Sequence, residues 1–157
     1  MQTISPFLWF DTQAEEAANF YVSIFPNSKI TSVSRYGEAG PGPAGGVMTI
    51  GFELDGQAFT GLNGGPHFKF TEAVSFVVHC QGQAQVDRYW DALLAGGGQE
   101  SQCGWLKDRY GLSWQIVPQE FLELMADPDQ AKVGRVMSAM VQMIKLDIAK
   151  LKAAAEG

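Results

Sequence analysis

Few side chains in this sequence can do acid, base or nucleophilic work. The two histidines are His67, in the turn-like string GGPHF, and His79, near the end of the apolar run AVSFVVHC. An imidazole titrates near neutrality and suits a general acid or base. It serves equally as a hydrogen-bonding residue at a strand end or, for His67, as a solvated rim residue. Cys80 and Cys103 show no paired metal spacing, so a structural zinc site is not expected. Cys103 stands near Trp105 and Lys107, where a cation can lower a thiol pKa, but no general base is paired with it by spacing. Glu53 and Asp108 are acid and base candidates beside turns, where carboxylates are commonly solvated. Trp105 is a candidate apolar wall, and alternation puts Trp114 beneath a helix layer.

The elements that must position these residues come from a chain of 157 residues, 46% hydrophobic and 11% aromatic, enough for one domain over 1–157 with a substantial core. The net charge is −6 and the eleven Lys and Arg are scattered, which disfavours nucleic acid and anionic membranes as partners. No stretch approaches the roughly 20 apolar residues of a membrane span, and the N-terminus lacks a leader pattern, so a cytoplasmic location with free thiols is expected.

The apolar run Ile4 to Phe10 reads as a strand, and AEEAANFYVSIFP as a helix of about three turns closed by Pro26-Asn27. Lys29 to Tyr36 and Val47 to Leu54 alternate with period two and read as strands. Between them GEAGPGPAGG, residues 37–46, is a mobile loop that could flank a site. Asp55-Gly56 signals a tight hairpin into Gln57 to Leu62. The order is βαβββ, a first unit over about 2–64.

After NGGPHFKF the pattern restarts, with a strand from Ala73 to Cys80 and a helix carrying Val86, Tyr89, Trp90, Leu93 and Leu94. Strands at Gly104 to Tyr110 and Leu112 to Pro118 complete a shorter second unit over about 71–118. Adding 69 to first-unit positions brings Phe7 onto Phe76, Ala17 onto Val86, Phe20-Tyr21 onto Tyr89-Trp90 and Asn27 onto Gly96, an internal repeat. Residues 119–157 form a helical extension: a short helix over Gln119 to Ala126, then a longer one with Asp127 as N-cap and Pro128 at its first position. Val133, Val136, Met137, Met140 and Ile144 would share a face of the longer helix and cover apolar area on the protein's own sheet or on a second subunit.

Two tandem βαβββ units, FY inside the first helix, and D-x-Y-G-x-x-W-x-I at the last hairpin resemble the vicinal-oxygen-chelate (glyoxalase/bleomycin-resistance) superfamily. The strings PFLWFDTQAEEAANFYVSIFPNS, LNGGPHFKF and CGWLKDRYGLSWQIVP are similar to its PhnB-like branch, labelled 3-demethylubiquinone-9 3-methyltransferase. The resemblance covers roughly residues 2–118. It implies an α+β fold with a curved mixed sheet around a cavity, a homodimer, and a divalent metal held by one residue from each unit's first strand and one from each unit's last strand.

Counting four residues past Gly111 and Gly56 places the last-strand positions at Gln115 and Thr60. The first-strand positions fall near Pro6, with Ile4 on the same face, and at Ser75. None offers the imidazole, thiolate or carboxylate that zinc or iron sites use, so no metal ligand and no cofactor is assigned. With Ser75 on the cavity face, Val77 and His79 share it, and Phe10 becomes the first-unit counterpart of His79. The ligand-lining candidates are therefore Phe10, Thr60, Ser75, His79, Trp105 and Gln115, with His67 and Cys103 as possible rim. Gln115 can orient a carbonyl or hydroxyl without a metal. GPGPAGG lies between strands rather than opening a helix, so it gives no support for S-adenosylmethionine binding or for the methyltransferase label. The leading expectation is metal-independent binding of a small molecule. An enzyme using non-standard metal ligands such as His67 and His79, or acid/base residues, is the alternative. A filled cavity serving only protein interaction is a third.

Overall fold

The computed structural model describes residues 2–157 and divides into two compact units, one ending at Phe70 and the other beginning at Thr71. The fold is α+β, with one four-stranded mixed sheet in each unit and five helices.

In the first unit, β1 (Phe7–Phe10), α1 (Ala14–Ile24), β2 (Lys29–Arg35), β3 (Val47–Leu54) and β4 (Gln57–Asn63) form a sheet ordered β1-β4-β3-β2. β1 runs parallel to β4, and the other pairs are antiparallel. β1 is shorter than the apolar run because Pro6 has no N–H to give a ladder; its carbonyl accepts from Thr60 N at 3.1 Å, where pairing begins. Asp55 (φ 48°) and Gly56 (φ 80°) are both left-handed, as a two-residue hairpin turn between twisted strands requires. α1 lays Ala14, Ala17, Ala18 and Tyr21 on the sheet. The alanines allow close approach: a Cβ on Gly61 would stand 3.4 Å from that of Ala14. Tyr21 stacks on Phe52 and Phe52 on Phe59, with ring centroids 6.2 and 5.4 Å apart.

The second unit repeats the plan with β5 (Ser75–Cys80), α2 (Gly82–Leu94), β6 (Gln99–Glu100), β7 (Trp105–Lys107) and β8 (Ser113–Pro118), ordered β5-β8-β7-β6. Asp108 is not a solvated turn carboxylate. It is 3% exposed, accepts from the Tyr110 and Leu112 amides at 2.8 and 3.1 Å and from Trp114 Nε1 at 2.9 Å, and thereby fixes the β7–β8 turn. Trp114 lies buried on the helix side against Phe76, as alternation predicts.

The uniform repeat offset of 69 needs correction. The helix-ending residues Asn27 and Gly96, both left-handed, keep it. Burial does not: Leu8 and Phe10 match Val78 and Cys80, an offset of 70, while Ala14, Ala17, Ala18 and Tyr21 match Val86, Tyr89, Trp90 and Leu93, an offset of 72. A slip of one residue in a strand exchanges its faces, so the cavity assignment of β1 was inverted.

The C-terminal extension contains α3 (Gln119–Met125), α4 (Gln130–Met140) and α5 (Ile148–Glu156). The N-cap of α4 is Asp129, whose side chain accepts from the Ala131 and Lys132 amides, rather than Asp127. Asp127 instead accepts from the Asp129 amide, and Pro128 precedes the helix. Ile144 lies beyond α4 and is half exposed, so it does not extend that helix's face. Val136 packs with Leu146, Leu151 and Ala155, and Phe121, Leu124, Met125, Met140 and Met143 surround them. The extension thus has a small core of its own, made by the otherwise unexpected α5.

Candidate functional site

β1 and β4 run parallel, and their carboxyl ends meet the N-terminal end of α1. Here the first unit has a cavity of about 740 Å³. Trp9, Tyr36, Met48 and Leu62 supply apolar surface, and Asp11, Thr12, Glu15, Asn63 and His67 polar groups, while Pro41 to Pro43 and Gly64 to Pro66 complete the wall.

Local chemistry fixes these walls. Trp9 Nε1 donates to the Gly65 carbonyl at 2.9 Å, and Phe68 meets the Trp9 ring edge-on with centroids 4.8 Å apart. Gly64 is required at its position, because a Cβ there would lie 2.4 Å from the Trp9 ring. The loop over 37–46 wraps Tyr36. The Tyr36 amide donates to Gly46 O and Gly45 donates back to Tyr36 O, at 2.9 and 2.8 Å. Gly42 lies so close to the Tyr36 ring that a Cβ would fall within 2.3 Å of it. The Gly- and Pro-rich segment thus packs on an aromatic anchor, and the Tyr36 hydroxyl donates to the Asn63 carbonyl.

Asn63 ties these parts together. Its Oδ1 accepts from the Ala14 amide at 2.8 Å, and its Nδ2 donates to the Val47 carbonyl at 3.0 Å. Gln13, at the N-cap of α1, makes no side-chain cap, so a residue from β4 does this work.

Of the features singled out from sequence, His67 lines this cavity, and so does the loop over 37–46 through Pro41, Gly42, Pro43 and Gly46. Phe10 is 3% exposed, on the face of β1 that bears Leu8, and meets Phe70 edge-on with centroids 5.3 Å apart; it is core and does not line an open face. Thr60 stands opposite Phe7 on the other face, where Phe7 is 60% exposed. Pro6 and Ile4 lie before β1, so the strand's own residues on that face are Phe7 and Trp9.

In the second unit Ser75, Val77 and His79 share the face away from α2, alongside Gln115 of β8 and Trp105 of β7. Gln115 Nε2 donates to Ser75 Oγ at 2.9 Å, joining the two positions that would hold metal in the vicinal-oxygen-chelate pattern. His79 is exposed at the end of this face. Cys103 is left-handed (φ 61°) before β7 and its amide donates to Met143 O at 2.8 Å, which gives it a turn-forming role. Burial pushes the Cys80 thiol up to about 11, so it is protonated near neutrality.

Among the described residues no group of three or more His, Cys, Asp or Glu could hold a metal ion. Of the positions implied by the resemblance, Thr60, Ser75 and Gln115 carry neutral hydroxyl or amide groups, with Ser75 and Gln115 bonded to each other, and Pro6 and Ile4 carry no donor side chain. That donor set does not fit a divalent metal of the usual kind.

Sequence reasoning missed Trp9, Tyr36 and Asn63. An aromatic residue directly before a Gly- and Pro-rich loop, and the string NGG after a strand, were the available signals.

Two βαβββ units, each with its first and last strands parallel at the sheet's end, define a protein of the vicinal-oxygen-chelate class. The 3-demethylubiquinone-9 3-methyltransferase family model matches residues 2–117, and the chain belongs to that family. It is similar to the PhnB protein of Bacillus cereus, which carries the same methyltransferase description. Identity is 40%, the match covers 74% of this chain and 99% of that one, and the TM-score is 0.68. Protein PA1353 of Pseudomonas aeruginosa shares the fold at 20% identity, covering 75% and 98% of the two chains with a TM-score of 0.61. The fosfomycin resistance protein FosX of Listeria monocytogenes, solved with Mn(II) and sulfate, shares it at 15% identity, 75% and 91% coverage and a TM-score of 0.52. No curated protein matches this chain.

Proposed function

We propose that this chain binds a small, uncharged or cationic aromatic molecule in the first-unit cavity, without a metal. The carrying observation is the cavity of about 740 Å³, walled by Trp9 and Tyr36, within the roughly 300–1,000 Å³ typical of small-molecule sites. Trp9 and Leu62 offer apolar contact, and His67 and Thr12 offer directional hydrogen bonds. Asp11 and Glu15 are lining carboxylates, and the lining holds no Lys or Arg to offset them, which disfavours anions. The neutral groups at Thr60, Ser75 and Gln115 are the reason to leave metal out of the reading. Superfamily members commonly pair, and a homodimer belongs to the same proposal.

A panel of neutral and cationic aromatic fragments, including 2-naphthol and tryptamine, tests it by NMR titration. Binding should shift the Trp9 indole and His67 ring resonances, persist in EDTA, and weaken at least tenfold in Trp9→Ala. If no fragment moves the Trp9 resonance, or if elemental analysis of untagged protein finds stoichiometric metal, the proposal fails.

A further inference from the structure

The segment between β2 and β3 is tied down at both ends and only lightly between them. At one end the Tyr36 hydroxyl donates to the Asn63 carbonyl, and at the other the Val47 carbonyl accepts from Asn63 Nδ2 at 3.0 Å, so one β4 residue pins both ends. The base is closed by the Tyr36 amide on Gly46 O at 2.9 Å and the Gly45 amide on Tyr36 O at 2.8 Å. Among the described residues, every hydrogen bond made by 37–46 has its partner between Arg35 and Gly46, including Arg35 Nη1 to Gly45 O at 3.1 Å.

Ring contact holds the span against the rest of the unit. Gly40 and Gly42 are its half-buried members over 37–44, and both lie on the Tyr36 ring: a Cβ on Gly40 would stand 2.9 Å from it, and one on Gly42 closer still. Neither glycine has a positive φ, so the ring, not the backbone, excludes a larger residue. The other residues of 37–44 are exposed, yet Pro41 and Pro43 form a wall of the first-unit cavity with Gly42. Proline fixes φ on either side of Gly42, so 41–43 moves as a stiff piece, while Gly37 and Gly45 give freedom at its ends. The span GEAGPGPAGG has no large apolar side chain to bury, and a segment with few buried contacts opens at low cost.

We infer that residues 37–46 are a lid that gates the first-unit cavity, latched by Gly40 and Gly42 on the Tyr36 ring and hinged at Gly37 and Gly45, a role that rests on the binding proposed for that cavity. Opening lifts Pro41 to Pro43 away and leaves the Asn63 bonds in place. A methyl group added at Gly42 or Gly40 breaks the latch and favours the open state.

Ligand-free protein decides whether the lid exists. With a neutral gadolinium chelate in the solvent, paramagnetic relaxation of the Met48 and Leu62 methyl protons, both on the cavity wall, should rise about threefold in Gly42→Ala and by less in Gly40→Ala. Ala39→Ser, at an exposed position of the same span, should behave as wild type. Addition of 2-naphthol then reads the gate: in Gly42→Ala its association and dissociation should both quicken about fivefold, because each needs the open state. Unchanged relaxation at Met48 and Leu62 in both glycine variants would overturn the lid. So would faster dissociation with unchanged association, the mark of a lost wall contact. If wild-type protein binds no aromatic fragment, the ligand proposal falls, and the lid stands or falls on the chelate result alone.

Discussion

Replacing Asn63 by Ala tests the idea that one side chain from β4 holds both the start of α1 and the rim of the first-unit cavity. Two bonds vanish, from the Ala14 amide at 2.8 Å and to the Val47 carbonyl at 3.0 Å. Loss of a helix N-terminal acceptor costs about 1 kcal/mol, and the second, half-buried bond costs about 1 kcal/mol more, so the change should total roughly 2 kcal/mol. For a chain of this size that is a fall in thermal midpoint of roughly 4–8 °C. Asn63→Asp keeps an acceptor for Ala14 and loses only the donor to Val47, and should fall by about half as much. Urea unfolding followed by tryptophan fluorescence gives the free-energy change, thermal unfolding gives the midpoints, and amide exchange at Ala14 gives the local effect. Exchange there should accelerate in Asn63→Ala and stay near wild type in Asn63→Asp. The reasoning is refuted if both variants lose the same stability, or if Asn63→Ala loses less than about 0.5 kcal/mol.

Leu151→Ala should cost roughly 2–5 kcal/mol, because Leu151 is fully buried among Val136, Leu146 and Ala155; a denaturation midpoint within about 0.5 kcal/mol of wild type would show that α5 packs weakly. Cys80 should resist alkylation by iodoacetamide at pH 8 while the protein is folded and react once it is unfolded, since burial holds its thiol at about 11 against an ordinary 9.0. Because this folded-state value is raised, its stabilisation is fully present below about pH 9 and is lost as pH rises through about 11. Cys80→Ala should flatten that part of the pH–stability curve.

Much of the scaffold was legible in the chain. β3 has its expected bounds, the Asp55-Gly56 turn has its left-handed residues, and both units keep the βαβββ order. These follow from local rules, namely period-two alternation, helical spacing and turn residues. The extension was less legible, because Asp127 and Asp129 are both plausible caps and only the helix register chooses between them. The chain reversal that creates α5 depends on Leu146 and Leu151 meeting Val136, a contact that no local pattern encodes.

The sequence by itself determined the α+β class, the family, and the chemical poverty of the positions that hold metal in the vicinal-oxygen-chelate pattern, because each depends on residue identity and order. Tertiary structure decided which face each strand residue takes. A one-residue difference in offset sends Phe10 into the core and leaves Phe7 and Trp9 on the other side. It also decided that Asp108 is a buried turn anchor, that Asn63 caps a helix from a distant strand, and that Ser113 is buried with its hydroxyl unpartnered. Those properties arise where separate strands and loops converge, and convergence in space is set by sheet register rather than by neighbours along the chain.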